Sequence, residues 1–233
     1  MAVQYANARL VTNGLVLALD AGDRNSYPGT GTSWTDLSGN NNSGTLTNGP
    51  TYSSANGGTI VFDSTNSQYI NLGPILNYTS ENFTFSYWIN LNTLTTNSGG
   101  QGPIVLYKGS FNIDGYYNQI NNDGTIAFVT NQSGVAQVSY TNSNIITTST
   151  WYNIAYIRNG TSIRIYVNGI DKTTTAGTHI NPTSSVRNFT LATYVTSIYG
   201  NFKLSNFLNY NRALSSTEVL QNYNAQKSRF NII

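Results

Sequence analysis

The sequence predicts an all-β protein, an antiparallel sandwich or jelly roll closed by one short C-terminal helix. Three observations carry this. Asn-Gly and Asp-Gly pairs recur along the chain, at Asn13-Gly14, Asn48-Gly49, Asn56-Gly57, Asp114-Gly115, Asp123-Gly124, Asn159-Gly160 and Asn168-Gly169. Such pairs accept the positive φ angles of tight hairpin turns. Short runs rich in β-branched and aromatic residues lie between them. No alternation of strand and helix patterns appears, which argues against a parallel α/β sheet.

In chain order, the expected strands are Leu15–Asp20, Thr59–Asp63, Tyr69–Leu72, Phe83–Leu91, Ile104–Lys108, Tyr117–Asn121, Thr125–Thr130 and Gln137–Thr141. The clearest unit follows, WYNIAYIRNGTSIRIYVNGID at 151–171. Tyr152, Ile154 and Tyr156 alternate onto one face, Asn159-Gly160 turns the chain, and Ile163, Ile165 and Val167 line the returning strand. Asn188–Thr193 and Phe202–Tyr210 complete the set. Residues 22–58 are rich in Gly, Ser and Asn but hold Trp34, Leu37, Leu46 and Tyr52, and read as a long ordered loop. Ser215-Ser216-Thr217-Glu218 has the form of a capping box, with Ser215 and Glu218 as its reciprocal partners and Leu214 and Val219 placed as a hydrophobic staple. The helix should run from about Ser216 to Lys227. No linker divides the chain, so residues 14–233 read as one domain and residues 1–13 as an N-terminal arm.

Composition narrows the function. Of 233 residues only 9% are charged, with a net charge of +2, and there is no cysteine. An average domain carries about 25% charged residues. The surface must be covered by Asn, Thr, Ser, Gly and Tyr, a covering suited to a neutral exterior or to sugar hydroxyls. Eleven scattered basic residues form no patch that would neutralise a phosphate backbone, so nucleic acid is not an expected partner. No run approaches the ~20 apolar residues of a membrane span. MAVQYANARLVTNG lacks the apolar core of a secretory signal, so synthesis without a signal peptide is expected.

Catalytic groups are scarce. His179 is the single histidine, placed in the polar stretch TTTAGTHINPTSS, where it reads as a residue of a solvated turn. One His without Cys excludes the usual zinc sets and Cys–His catalysis. Glycoside hydrolysis needs two carboxylates at a defined separation, and no strand carries such a set on one face. Glu218 is committed to the helix cap. Asp20 and Asp23, with Asp36 a loop away, are the candidate calcium ligands, weighed against ordinary turn capping, which is the preferred reading. No cofactor is otherwise implied. Trp34, Tyr116 and Tyr117, with Asp114 and Asn118 beside the two tyrosines, are the candidate carbohydrate-binding residues: rings pack on the apolar face of a pyranose and amides bond its hydroxyls.

Four stretches resemble the laminin-G-like, concanavalin A-like jelly-roll family: GLVLALDAGD with WTDLSGNNNSGTL, VFDSTNSQYINLG, the hairpin at 151–171, and the ending YNRALSSTEVLQNYNAQKSRF. The resemblance covers roughly residues 14–230. It departs from the family at Ser64 and Gln68, where Gly and Asp often stand, and at Ser205 and Asn206, where an acidic pair often stands, which weakens the expectation of calcium. The carboxylate cluster of the glucanase branch is missing. The fold hosts many functions, but this compact, Asn/Thr/Gly-rich form is similar to copies in tailed-bacteriophage virion proteins. The resemblance therefore implies a non-enzymatic virion surface protein, a capsid decoration subunit or a tail or fibre component. Its partners would be other virion proteins in a multimeric array, and residues 1–13 would be its docking arm. The alternative is a lectin-like module for host or particle glycans; a glycoside hydrolase is the remote one.

Overall fold

The structure, a computed structural model, describes residues 9–95, 102–194 and 198–232. Nineteen strands run through the described residues. The first six are β1 (Leu15–Asp20), β2 (Ser33–Trp34), β3 (Gly44–Thr47), β4 (Thr51–Ser53), β5 (Thr59–Phe62) and β6 (Tyr69–Asn71). Then come β7 (Phe83–Leu91), β8 (Leu106–Ser110), β9 (Asp114–Ile120), β10 (Ile126–Gln132), β11 (Val135–Thr141), β12 (Trp151–Asn159) and β13 (Ser162–Val167). The last are β14 (Ile170–Asp171), β15 (Thr173–Thr175), β16 (Thr190–Leu191), β17 (Thr193–Tyr194), β18 (Ile198–Tyr199) and β19 (Phe202–Tyr210). A helix, α1 (Ser216–Gln226), and a 3-10 turn at Lys227–Phe230 close the chain.

The strands build two antiparallel sheets. The eight-stranded sheet runs β14-β13-β12-β7-β19-β5-β4, and β1 also pairs with β19. The nine-stranded sheet runs β15-β11-β10-β9-β8-β16-β6-β3-β2, and β17 pairs with β18 as a separate ribbon. Between the sheets, alternate residues interdigitate as a sandwich core. β7 supplies Phe83, Phe85, Tyr87 and Ile89, none of them exposed. Phe85 stacks on Phe189 at 5.8 Å and lies 5.9 Å from Phe207. Each such ring contributes about 1.5–3 kcal/mol by leaving water.

The 151–171 hairpin forms in the register its alternation demands, Ile154 opposite Val167 and Tyr156 opposite Ile165. The capping box is present: the Ser215 hydroxyl accepts from Glu218 N, and Glu218 accepts from Ser215 N at 2.9 Å. Arg212 adds a pair of hydrogen bonds to the same carboxylate. Together these hold the Glu218 carboxyl at about 2, with Arg212 as the main cause. Leu214 and Val219 are both buried in one cluster with Ala155, Ile157, Leu208 and Tyr210. The helix thereby covers the outer face of the eight-stranded sheet. Trp88, pointing outward from β7, stacks on Phe230 at 4.1 Å and on Tyr223 at 5.7 Å, and its indole N–H donates to Gln226 Oε1. No helix among the described residues is long and apolar enough to cross a membrane.

Three features differ from the sequence reading. The segment 22–58 is not only loop: β2, β3 and β4 lie in it, and β2 and β4 end their sheets. Strands of two to four residues carry too little periodicity to be recognised alone. The stretch 188–193 is broken by Ala192, whose φ of 67° turns the chain out of the sheet and into β17. Part of the expected N-terminal arm, residues 9–13, is bonded to the domain. Val11 N donates to Asn222 Oδ1 and Val11 O accepts from Tyr210 OH, while Asn13 O accepts from Arg212 and Arg9 O from Gln221. Residues 9–13 are thus tied to α1 and its neighbours. Residues 1–8 of the expected docking arm lie outside the described residues.

Candidate functional site

Side chains on a strand alternate between faces. In the nine-stranded sheet, Leu46, Ile70, Leu106, Tyr116, Phe128 and Leu191 enter the sandwich core. Their neighbours occupy the opposite, outer face. Pairing registers align some of these into one row across six strands. Asn71 lies opposite Thr190, Thr190 opposite Tyr107, Tyr107 opposite Tyr117, Tyr117 opposite Val129, and Val129 opposite Val138. The row grades from amide and hydroxyl through two phenol rings to aliphatic groups.

The ribbon β17–β18 lies over the aromatic middle of this row. Tyr194 meets Tyr107 edge-on at 4.9 Å and Tyr117 at 5.5 Å. Ala192 makes this possible, because its left-handed backbone lifts the chain away from β16. An open groove of about 370 Å³ remains beside the ribbon, lined by Tyr69, Asn71, Tyr107, Thr190 and Thr193, with Arg187 and Asn188 at its lip. Small-ligand clefts run to roughly 300–1,000 Å³. Tyr69 forms a side wall, its ring 6.3 Å from that of Tyr199. The hydroxyls of Thr190 and Thr193 are buried and have no hydrogen-bond partner among the described residues. Burial raises the phenol pKa of Tyr107 and of Tyr194, and the charge of Arg187 opposes this at both. A second opening, near 470 Å³, is lined by Asp20, Asp23, Arg24 and Arg229, but the Asp20–Arg229 ion pair at 2.8 Å crosses it and no ring faces it.

The residues proposed from sequence for carbohydrate binding fall in different places. Trp34 is fully buried, as are Tyr116 and Asn118. Tyr116 belongs to the inner face of β9, among Phe83, Phe85 and Phe128, with its hydroxyl donating to Leu76 O. Asn118 spends its carbonyl oxygen on Val105 N and Leu106 N. None of the three presents surface to a ligand. Asp114 stands on the inner side of the same strand, and its Oδ1 is buried without a hydrogen-bond partner among the described residues. Tyr117 alone of the set belongs to the outer face, and it is covered by Tyr194. Adjacent positions in a strand cannot share a face, so Tyr116 and Tyr117 could not both serve one surface.

The candidate calcium ligands are already engaged. Asp20 accepts from Gly22 N and pairs with Arg229; Asp23 accepts from Asn25 N. Asp36 accepts from Ala18 N, Ser38 N, Ser38 Oγ and Asn42 N, so both its oxygens order the loop around it. No three metal-ligating side chains converge among the described residues. Asp63, Asp123, Asp171 and Glu81 each accept from a backbone N–H of their own turn.

His179 is not at a solvated turn. It is fully buried, with one ring nitrogen 2.8 Å from Thr130 Oγ1 and the other 2.9 Å from Ser139 Oγ. Burial and the nearby Arg158 charge lower its pKa to about 4. It is a neutral core residue, remote in role from the groove.

The sequence pattern of the family described as the concanavalin A-like lectin/glucanases superfamily (Laminin_G_3) matches residues 63–220. The chain belongs to this family. No curated protein sequence matches it. Among solved structures it is similar to the binding domain of Paraclostridial Mosquitocidal Protein 1, at 19% identity and a TM-score of 0.70, over 91% of this chain and 52% of that one. It is similar to the binding domain of botulinum neurotoxin DC, solved in complex with rat synaptotagmin II, at 15% identity and a TM-score of 0.70, over 93% and 52%. It thus spans about half the length of these toxin chains. A third neighbour is domain 4 of AbnA, a GH43 extracellular arabinanase from Geobacillus stearothermophilus, in complex with arabinotriose, at 17% identity and a TM-score of 0.64, over 90% of this chain and 98% of that one. At these identities the likeness is one of fold.

Proposed function

We propose that this chain is a non-enzymatic glycan-binding module whose ligand lies in the groove beside β17. The observation that carries this reading is the groove's composition. It joins the Tyr69 and Tyr107 rings to the amides of Asn71 and Asn188 and the guanidinium of Arg187. Rings pack on pyranose C–H faces, and amides bond sugar hydroxyls. No carboxylate lines the groove, which leaves no acid–base pair for hydrolysis there. A domain of matching length from an arabinanase binds arabinotriose on this fold. An avid multimer on a glycan array tests the reading. Saturable binding is expected, weakened roughly two- to tenfold by Tyr69→Ala through loss of ring stacking. Absence of binding to any polysaccharide overturns it.

The carrier of the module, in the same proposal, is a bacteriophage particle, with other virion proteins as partners in a multimeric array. The sparse charge, 9% of residues, and the resemblance of the whole form to virion copies support this. Mass spectrometry of purified virions is its test, and absence of the chain from particles overturns it.

A further inference from the structure

Arg187 is the one charged side chain among those lining the groove. It is exposed at the lip, and no carboxylate of the described residues lies within ion-pair distance of it. Arg164, Arg212 and Arg229, in contrast, each have an acidic partner. The main chain of Arg187 is nevertheless held firmly. The buried Lys108 donates its ammonium to Arg187 O at 2.7 Å, and Ser185 Oγ accepts from Arg187 N at 3.2 Å. A buried lysine spent on one backbone carbonyl is a costly anchor, and it fixes the main chain of an arginine whose guanidinium has no ion-pair partner among the described residues. The phenols of Tyr107 and Tyr194 lie within reach of the Arg187 field. A fork of guanidinium donors matches the oxygens of an anionic substituent.

We propose that the groove takes an acidic saccharide, one bearing a carboxylate or sulfate, with Arg187 binding the anionic group while Tyr69 packs against the sugar ring. This rests on the glycan-binding reading of the same groove and specifies its ligand class. The carboxylate and the sulfate share the chemistry; the assay separates them.

Titration calorimetry with an oligogalacturonate, its carboxyl-reduced neutral counterpart and a sulfated galactan oligosaccharide tests the inference. The wild-type chain should bind at least one acidic probe tenfold or more tighter than the neutral probe. A charge-assisted pair is worth about 1.5–3 kcal/mol, so Arg187→Ala should weaken that binding roughly 10- to 100-fold. Arg187→Lys, which keeps the charge but loses the fork, should fall between. Which acidic probe wins identifies the substituent. Binding of the neutral probe should be reduced in Tyr69→Ala, and Arg187→Ala should weaken it far less than it weakens binding of the acidic probe. Equal affinity for acidic and neutral probes, or an Arg187→Ala variant that binds the acidic probe like wild type, overturns the ligand class while leaving the groove as a glycan site. Binding of no probe overturns the groove reading and this one with it.

Discussion

The two sheets of the sandwich treat their outer faces in opposite ways. On the eight-stranded sheet, Trp88, Ala155, Leu208 and Tyr210 are sealed under α1 and the Lys227–Phe230 turn. On the nine-stranded sheet, a comparable apolar row is covered only in part, by Tyr194 and its short ribbon, and the polar end of the row lies open. A sheet face rich in rings is stabilised by covering it. Where the cover stops short, ring and amide surface stays open to solvent, and a ligand is the better account. The first face is therefore expected to govern stability and the second to govern binding.

The sharpest way to break this contrast is Trp88→Ala. The side chain is fully buried between Phe230 and Tyr223 and donates to Gln226. Removing a buried tryptophan costs about 3–5 kcal/mol, or roughly 10 °C in Tm for a chain of this length. Urea unfolding should show that loss, with glycan affinity of the folded fraction unchanged. A loss below about 1 kcal/mol would mean that the helix does not hold the sealed face. Helix and cap were legible in the sequence because their rules are local: Ser215 and Glu218 are three residues apart, and Leu214 and Val219 flank them. The strands β7, β12, β13 and β19 were legible for the same reason, as long runs with period-2 alternation. β2, β3 and β4 were not, since two to four residues become strands only through the neighbours they meet.

The site was less legible still. Asn71, Tyr107 and Thr190 come from three distant segments, and only the register of β6, β16 and β8 aligns them. Tyr194 reaches the row because Ala192 adopts a positive φ that nothing in its side chain announces. Trp34 and Tyr116 misled because a ring near a turn was taken as a ring on the surface, whereas the pleat sends both inward.

A second expected effect belongs to the buried end of the sandwich. His179 is neutral in the folded protein, with its pKa lowered to about 4 from the ordinary 6.5. Between those values the unfolded chain binds a proton that the folded chain does not. Stability is then complete above pH 6.5 and declines as pH falls through about 4, by something on the order of 3 kcal/mol. Glu218, with its pKa lowered to about 2, acts in a separate and more acidic window: its contribution is present above the ordinary carboxylate pKa and is lost as pH falls toward 2. Denaturation curves taken from pH 7 to pH 4 should show the histidine slope, and His179→Gln should flatten it. An unchanged slope in that variant would remove His179 from the acid response.

The smallest expected effect separates the two faces most finely. Thr193 Oγ1 is buried and has no partner. Thr193→Val replaces that hydroxyl with a methyl of nearly the same volume. An unpaired buried hydroxyl contributes desolvation cost without a compensating bond, so its removal should leave stability unchanged or raise it by up to about 1 kcal/mol. The oxygen is closed off from the groove surface, so glycan affinity should stay within about twofold of wild type. A roughly tenfold loss of affinity would mean that ligand binding shifts the ribbon and exposes this oxygen. A variant that is destabilised by a kilocalorie or more, with affinity intact, would instead place the Thr193 hydroxyl in the service of the fold and return the open face to the same role as the sealed one.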